Sequence, residues 1–284
     1  MKRGITGLYS QCLILIACCC LPSVAVAGSG DTVLTVGLGF EFATGDYGTE
    51  TTTDSITVPL TIDWYPVQRL EFKLEVPYVY QSNSTTTSAG GIRFRRGGTA
   101  GGSGVTGHGS GNQPATPDYD TNRSQSGLGN VSLKAGYVVL EEGKALPEVK
   151  PKVYVEFPTA DRNKGLGTGE FVTGLGLELG KWFGGWHTYV DGMYNFQGRS
   201  AEYDLKDFIS YEGGVGYQVT DRLLSTLLMK GASDLTDLSS GLLETRLKLG
   251  YRLTGRAGVE GFLAAGLTSG SPDFGAGLSM SYDF

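Results

Sequence analysis

The sequence predicts a transmembrane antiparallel β-barrel of about 12 strands, an all-β fold, preceded by a cleaved N-terminal signal peptide. Three observations predict it: an export leader, a series of segments in which apolar and polar residues alternate, and an aromatic C-terminal residue, Phe284. Composition agrees, because 45 glycines, 15 tyrosines and a mean hydropathy of -0.09 fit strands with one apolar and one polar face.

The first 27 residues have the three parts of a secretory signal. Met1-Lys2-Arg3 is basic, residues 12–21 are apolar, and Ala25-Val26-Ala27 is a small-residue cleavage site. We therefore expect residues 1–27 to be removed and residues 28–284 to form the barrel. The run Leu15-Ile16-Ala17-Cys18 resembles a lipoprotein cleavage box and would leave Cys18 as a lipid anchor, but the residues that follow it stay apolar where a polar tether is expected.

Cysteine content and charge exclude several classes of function. All 4 cysteines lie in the leader, so the mature chain has no disulfide, thiolate metal site or cysteine nucleophile. The net charge of -6 and the pI of about 5.0 argue against nucleic acid as a partner. After the leader, no stretch reaches the roughly 18 consecutive apolar residues of a membrane helix.

Alternation is the main evidence for the strands. A row that faces lipid must exclude ionised groups, and the third segment sets Leu70, Phe72 and Leu74 on one parity against Glu71, Lys73 and Glu75 on the other. The same test predicts strands over 34–42, 56–64, 70–80, 131–139, 153–157, 171–179, 186–196, 209–217, 223–230, 243–252, 259–267 and 274–284. Segment 223–230 is apolar on both parities, so its register stays open.

The connections alternate between short and long, as in barrels with short periplasmic turns and longer outside loops. The longest outside connection is 81–125. An even strand count then places both termini in the periplasm, and the protein in a bacterial outer membrane. A soluble β-sandwich also alternates, but its exposed face need not be free of charge in every segment.

The polar row is the candidate functional site, because charges that line a barrel tune ion and solute selectivity. We predict that it consists of Glu41, Glu71, Lys73, Glu75, Lys134, Lys152, Glu156, Glu178, Asp191, Glu212, Glu244, Arg246, Lys248, Arg252 and Glu260. The bases on one strand, Arg246, Lys248 and Arg252, are expected to face acidic strands across the lumen and set up a transverse field. The alternative is that these charges pair and fill the interior, as in small barrels.

Glycines occur repeatedly on the polar parity, which favours an open space over a packed interior. They include Gly136, Gly174, Gly176, Gly214, Gly216 and Gly277. The alternative role for glycine in a barrel is strand bending. Glycine frequency therefore favours a narrow pore.

Loop 81–125 is the candidate gate, with Arg93, Arg95 and Arg96 preceding a glycine-rich run. Folded inward, its arginines would meet the lumen carboxylates. Left outside, it would be a surface loop. The sequence leaves both arrangements open.

Catalysis and metal binding are not expected. The only histidines, His108 and His187, stand beside no well-placed serine and acid, so we predict no enzyme and no catalytic residue. The acidic pairs in the outside loops, Asp46 with Glu50 and Asp234 with Asp237, lack the ligand spacing of a calcium loop. We expect no cofactor and no metal.

Residues 127–169 resemble a family of outer-membrane proteins associated with the meta-cleavage pathway of phenol degradation. The resemblance rests on Gly127-Leu128-Gly129-Asn130, on Phe157-Pro158-Thr159-Ala160-Asp161 and on Gly167-Thr168-Gly169. The family usually has Asp at the position of Asn130 and more often Gly at that of Ala160. The resemblance implies an outer-membrane barrel that moves small, aromatic or hydrophobic molecules, and implies no catalytic role.

These observations favour a passive channel for small solutes. The expected partners are outer-membrane lipid, a small-molecule solute and the barrel-insertion machinery, which is expected to recognise the aromatic terminus at Phe284; nucleic acid is not expected. Two other hypotheses stay open. One is a structural or adhesive barrel that acts through its outside loops, and the other is a lipid hydrolase active at the barrel rim.

Overall fold

A computed structural model describes residues 33–96, 123–200 and 203–284. The signal peptide, the alternative anchor Cys18 and His108 lie outside these residues. The strands are β1 (Leu34–Gly45), β2 (Thr53–Val67), β3 (Leu70–Gln81), β4 (Thr86–Ala89), β5 (Ile92–Arg95), β6 (Gln125–Leu128), β7 (Val131–Tyr137), β8 (Glu148–Phe157), β9 (Val172–Phe183), β10 (Trp186–Gln197), β11 (Phe208–Thr220), β12 (Leu223–Ala232), β13 (Leu242–Arg252), β14 (Ala257–Gly266) and β15 (Phe274–Asp283).

The strands close into one antiparallel barrel. Strands β1 to β3 pair in chain order, strands β7 to β15 do the same, β3 pairs with β6 and β7, and β1 pairs with β15. Strands β6 and β7 are two halves of one barrel strand, because both pair with β3. Strands β4 and β5 form a separate hairpin within the long connection. The predicted antiparallel barrel of 12 strands is confirmed.

A bulge separates β6 from β7 and reverses the parity of the strand. The amide of Gly129 donates to the carbonyl of Pro77 at 2.8 Å, and a Cβ at Gly129 would lie 2.9 Å from Pro77 Cγ. An added residue in one strand of a pair turns the next side chain to the other face. The side chain of Asn130 is consequently buried inside the barrel, where it donates to Glu156 at 2.8 Å.

The exterior of the barrel is apolar, and it settles the register of β12. Leu227 and Met229 are 59% and 46% exposed, whereas Leu224 and Leu228 are buried inside. The inner leucines lie against glycines of the neighbouring strand: a Cβ at Gly214 would lie 2.9 Å from Leu228 Cβ. This segment is therefore apolar on both faces because a small neighbour leaves room for a leucine in the interior.

Aromatic pairs lie at both ends of the barrel, as in membrane barrels with interfacial girdles. At the end that carries the termini, Trp64 stacks on Phe72 at 5.4 Å and Trp186 contacts Tyr217 at 4.7 Å. At the other end, Tyr194 contacts Phe196 at 4.9 Å. Within the described residues, no helix is long and apolar enough to cross a membrane.

Candidate functional site

The interior of the barrel is lined by ionised side chains from every part of the wall. Strand parity places inside it the acids Glu41, Asp63, Glu71, Glu75, Glu148, Glu156, Glu178, Asp191, Glu212, Glu244, Glu260 and Asp283. The bases on the same side are Lys73, Lys134, Lys150, Lys152, Lys230, Arg246, Lys248 and Arg252. Among these wall residues, carboxylates outnumber bases.

Sequence reasoning did not include several of these residues in the site. Asp63 stands on the polar parity of the second segment, so the signal for it was present. Lys150 has the parity of Lys152 and was missed because β8 begins earlier than the predicted strand. Lys230 ends the segment that is apolar on both parities, where alternation could not assign a face.

One side of the wall holds a connected ion-pair network. Lys150 Nζ lies 3.3 Å from Glu71 and 3.0 Å from Glu178. Lys152 Nζ lies 3.0 Å from the other oxygen of Glu178 and also pairs with Asp191. Three carboxylates therefore share two lysines across β3, β8, β9 and β10. Their side chains keep contact with solvent, since Glu178 is 30% and Asp191 27% exposed.

The prediction of a transverse field from β13 is wrong. Arg246 pairs with Glu244 of its own strand at 2.6 Å, and its guanidinium lies 4.6 Å from the ring centre of Phe262. Lys248 pairs with buried Glu260 of β14 at 3.0 Å. The physical reason is distance: neighbouring positions on one face of a sheet lie closer together than opposite walls do, so the charges pair within the wall.

Several ionised side chains of the interior remain outside these pairs, and Lys73 pairs with buried Asp63 at 3.5 Å. Glu41, Glu75, Lys134 and Lys230 have no oppositely charged side chain of the described residues within ion-pairing distance. Glu212 accepts a 2.5 Å hydrogen bond from the Tyr189 hydroxyl instead of pairing with a base. Glu41 points inward, yet its side chain is exposed. The interior around Glu41 is therefore accessible to water.

The interpretation of the interior glycines as open space is wrong at the positions where their surroundings are described. A Cβ at Gly174 would lie 2.8 Å from Met193 Sδ, and one at Gly216 would lie 2.9 Å from the Thr226 hydroxyl. At Gly277 it would collide with the ring of Phe262. These glycines make room for larger side chains of the next strand, so their frequency measures close packing at the wall and not the width of a pore.

The β4–β5 hairpin folds into the extracellular end of the barrel. Its turn, Gly90-Gly91, has positive φ at both residues, +59° and +72°, which glycine adopts without strain. The two turn amides donate to the two oxygens of Glu156, at 3.0 and 3.1 Å. Asn130 and the Tyr154 hydroxyl donate to the same carboxylate at 2.8 and 2.9 Å. Glu156 is 3% exposed, so it binds the hairpin turn with its charge shielded by four donors.

The apolar face of the hairpin packs against the opposite wall. Ala89, Ile92 and Phe94 form a buried cluster with Val172 of β9 and Phe208 of β11. A Cβ at Gly90 would lie 2.5 Å from Phe208 Cζ, so the turn touches that ring directly. The hairpin thus crosses the interior from β3 and covers it.

The segment between β8 and β9 holds the base of the hairpin. It contains a short 3-10 helix (Arg162–Lys164), capped by Asp161. Ser88 Oγ donates to the carbonyl of Leu166 at 3.0 Å, and Arg96 donates to the carbonyl of Arg162 at 3.1 Å. This segment includes the Phe157–Gly169 motifs that carried the family resemblance.

The candidate gate arginines do not meet the lumen carboxylates, contrary to the arrangement expected for an inward loop. Arg93 donates to Gln81 Oε1 at 2.5 Å and to Thr86 at 3.1 Å, while Arg95 is exposed. Backbone amides of the turn contact the carboxylate instead. A glycine turn can approach an anion more closely than an arginine side chain that must also be solvated or paired.

The other residues considered for chemistry lie apart from one another. His187 points inward with its ring between Trp182 at 4.6 Å and Tyr189 at 5.8 Å. In the outside loops, a hydrogen bond from Lys206 lowers the pKa of exposed Asp237 and raises the pKa of Lys206. The described residues contain no group of three potential ligands that could hold a metal ion.

Comparison with known proteins agrees with this geometry. A model of the family described as "Putative MetA-pathway of phenol degradation" matches residues 85–284. No curated protein matches the sequence. Among solved structures, the COG4313 outer membrane channel from Pseudomonas putida F1 is similar over 92% of this chain and 99% of its own, with a TM-score of 0.62 and 14% identity.

Two further structures share the barrel shape more distantly. The KdgM porin covers 88% of this chain and 99% of its own, with a TM-score of 0.48 and 8% identity. The CymD monoaromatic hydrocarbon channel covers 90% of both chains, with a TM-score of 0.45 and 10% identity. The fold is that of an outer-membrane β-barrel, which confirms the predicted location.

Proposed function

The chain belongs to this phenol-degradation family of outer-membrane barrels, and we propose that it is a passive, gated channel for small solutes, aromatic compounds included. The observation that carries the proposal is the hairpin seated on Glu156 above an interior lined with ionised side chains, of which Glu41 is exposed and Glu178 and Asp191 are partly exposed. In this proposal the interior is the conduit, and the hairpin of Arg93, Arg95 and Arg96 is the gate.

Solvent access in the interior supports a conduit. In a barrel filled by side chains, interior charges are buried and paired, as Glu244 and Glu260 are here, whereas Glu41 is exposed and Glu178 and Asp191 are partly exposed. Charged side chains that line a solvent-accessible pore attract or repel the ions and solutes that diffuse through it. A barrel of 12 strands lies between the packed barrels of about eight strands and the wide channels of 16 to 18.

The kind of contact that the hairpin makes supports gating. Side-chain packing and hydrogen bonds to Glu156 and to the 162–166 segment hold the hairpin, and its own strands pair only with each other, so it can leave as a unit without breaking any barrel ladder. Such a unit can open while the rest of the fold stays intact. The family's association with phenol degradation supports small aromatic compounds as solutes.

Single-channel recording of the purified protein in planar bilayers tests the proposal. Glu156→Ala removes the acceptor of both turn amides, and we expect a higher open probability than in the wild type. Glu141→Ala is the matched control, since this carboxylate pairs with Arg69 in a turn outside the interior. Absence of conductance steps from both the wild type and Glu156→Ala would contradict the channel. Equal open probability in the two would contradict the gate.

A further inference from the structure

We propose that the interior selects cations over anions, and that Glu41 and Glu75 are the residues that set this preference. The proposal rests on the proposed channel function and names the class of solute that the same interior favours: neutral and positively charged molecules, with carboxylates and other anions disfavoured.

The first support is the charge that remains after pairing. Lys150 and Lys152 are shared by Glu71, Glu178 and Asp191, which leaves this network with one more negative charge than positive. Lys248 is neutralised by Glu260 and Arg246 by Glu244. These pairs contain four bases and five acids, so pairing neutralises the charge of every base in them and leaves one negative charge over.

The second support is the group of interior side chains that have no oppositely charged side chain of the described residues within ion-pairing distance. The acids of this group are Glu41, Glu75, Glu148, Glu212 and Asp283, and its bases are Lys134 and Lys230, of which Lys230 lies across from Glu212 and Glu244. Glu212 is held by a neutral hydroxyl, that of Tyr189, which stabilises its charge without cancelling it. The unpaired groups thus add a second excess of negative charge.

The position of Glu41 makes its charge available to a passing ion. Its cross-strand neighbours are Thr57 and Gly277, both uncharged, and its side chain is exposed inside the barrel. Arg246 and Lys230 act on it electrostatically, and so, more weakly, do Glu75 and Glu244. Two carboxylates that share a narrow, low-dielectric tube focus a negative potential along it.

The hairpin does not reverse this balance within the described residues. Arg93, Arg95 and Arg96 bring three positive charges to the extracellular end, and the neutral acceptors of Arg93 and Arg96 do not cancel them. The wall residues, Glu156 included, carry four more acids than bases, so the sum of wall and hairpin stays negative. The field deeper in the barrel is therefore set by the wall.

Reversal potentials in a KCl gradient test the inference, recorded on the full-length wild type and on Glu156→Ala. We expect potassium to be more permeant than chloride, and benzylammonium more permeant than benzoate. Glu41→Gln with Glu75→Gln should lower the ratio of potassium to chloride permeability by about fivefold for each carboxylate removed, because one unit charge acting across water at about 8 Å favours the cation and disfavours the anion by a Boltzmann factor of about two each. Lys230→Gln should raise the ratio.

The controls separate the possible failures. Glu141→Gln, in the turn between β7 and β8 at the end that carries the termini, should leave the permeability ratio unchanged. Conductance with chloride as the preferred ion would overturn the inference and leave the channel intact. A ratio unaffected by the double substitution would overturn the assignment to Glu41 and Glu75. No conductance from either background would overturn the channel, and this inference with it.

Discussion

Placing an arginine at two adjacent positions of β15 distinguishes the lipid-facing row from the interior row. Leu278 lies in the middle of the strand, is 58% exposed on the outer face, and has Phe40 and Gly261 as cross-strand neighbours. Arginine there meets hydrocarbon with no acidic partner. A charge on the lipid face near the bilayer midplane costs about 2 to 4 kcal/mol of folding free energy.

Ser279, the next residue, points inward between Gly39 and Glu260. Its hydroxyl donates to the carbonyl of Glu260 at 3.2 Å, and losing that bond costs about 1 kcal/mol. An arginine at Ser279 has water and the Glu260 carboxylate as partners, which offsets part of this loss. We therefore expect Leu278→Arg to cost about 2 kcal/mol more than Ser279→Arg.

Equilibrium unfolding of the barrel in lipid vesicles by guanidinium chloride, followed by tryptophan fluorescence, measures both free energies. Leu278→Ala separates the loss of the leucine side chain from the effect of the charge. Equal costs for the two arginines, or a larger cost for Ser279→Arg, would refute the register of β15 and the assignment of its outer face to lipid.

Two further predictions follow from single contacts. Lys248→Leu removes the ion-pair partner that the described residues provide to buried Glu260, so we expect the free energy of unfolding to fall by about 3 kcal/mol in the same assay. Adding Glu260→Gln should relieve this loss, and no relief would contradict the pairing. Deletion of Phe284 should reduce assembly into the outer membrane of cells without preventing refolding into vesicles, because we propose that the exposed terminal ring is read by the insertion machinery. Normal assembly in cells, measured by heat-modifiable gel mobility, would contradict that role.

The alternation of apolar and polar residues was enough to predict the barrel strands, because it is a local property of the chain. The third segment, from Leu70, separates its apolar and charged residues completely, and the structure places β3 there. The same rule failed from Leu223 to Lys230, since the inner face of β12 depends on Gly214 and Gly216 of the neighbouring strand. Residue periodicity within one segment contains no information about the size of side chains in the next.

Contacts between segments that are far apart in the chain could not be predicted from the sequence. The hairpin turn meets a carboxylate 66 residues later in the chain, through backbone amides that have no signature of their own. The nearby arginines suggested that side chains would contact the lumen carboxylates, whereas the hairpin contacts Glu156 through the backbone amides of Gly90 and Gly91. Asn130 reaches the same carboxylate only because a bulge reverses the strand parity just before it. Both features follow from closure of the barrel, which brings together strands that no local pattern relates.

In the channel that we propose, the gate and the interior make different demands on a solute. Opening the hairpin removes Ile92 and Phe94 from their cluster with Val172 and Phe208, which exposes apolar surface at the entrance. A solute with an aromatic ring can cover that surface and so favour the open state, because a ligand shifts an equilibrium only by binding one state better. Beyond the entrance, the carboxylates of the wall act on charge. A small aromatic molecule that is neutral or carries an ammonium group meets both demands, whereas an aromatic carboxylate meets only the first.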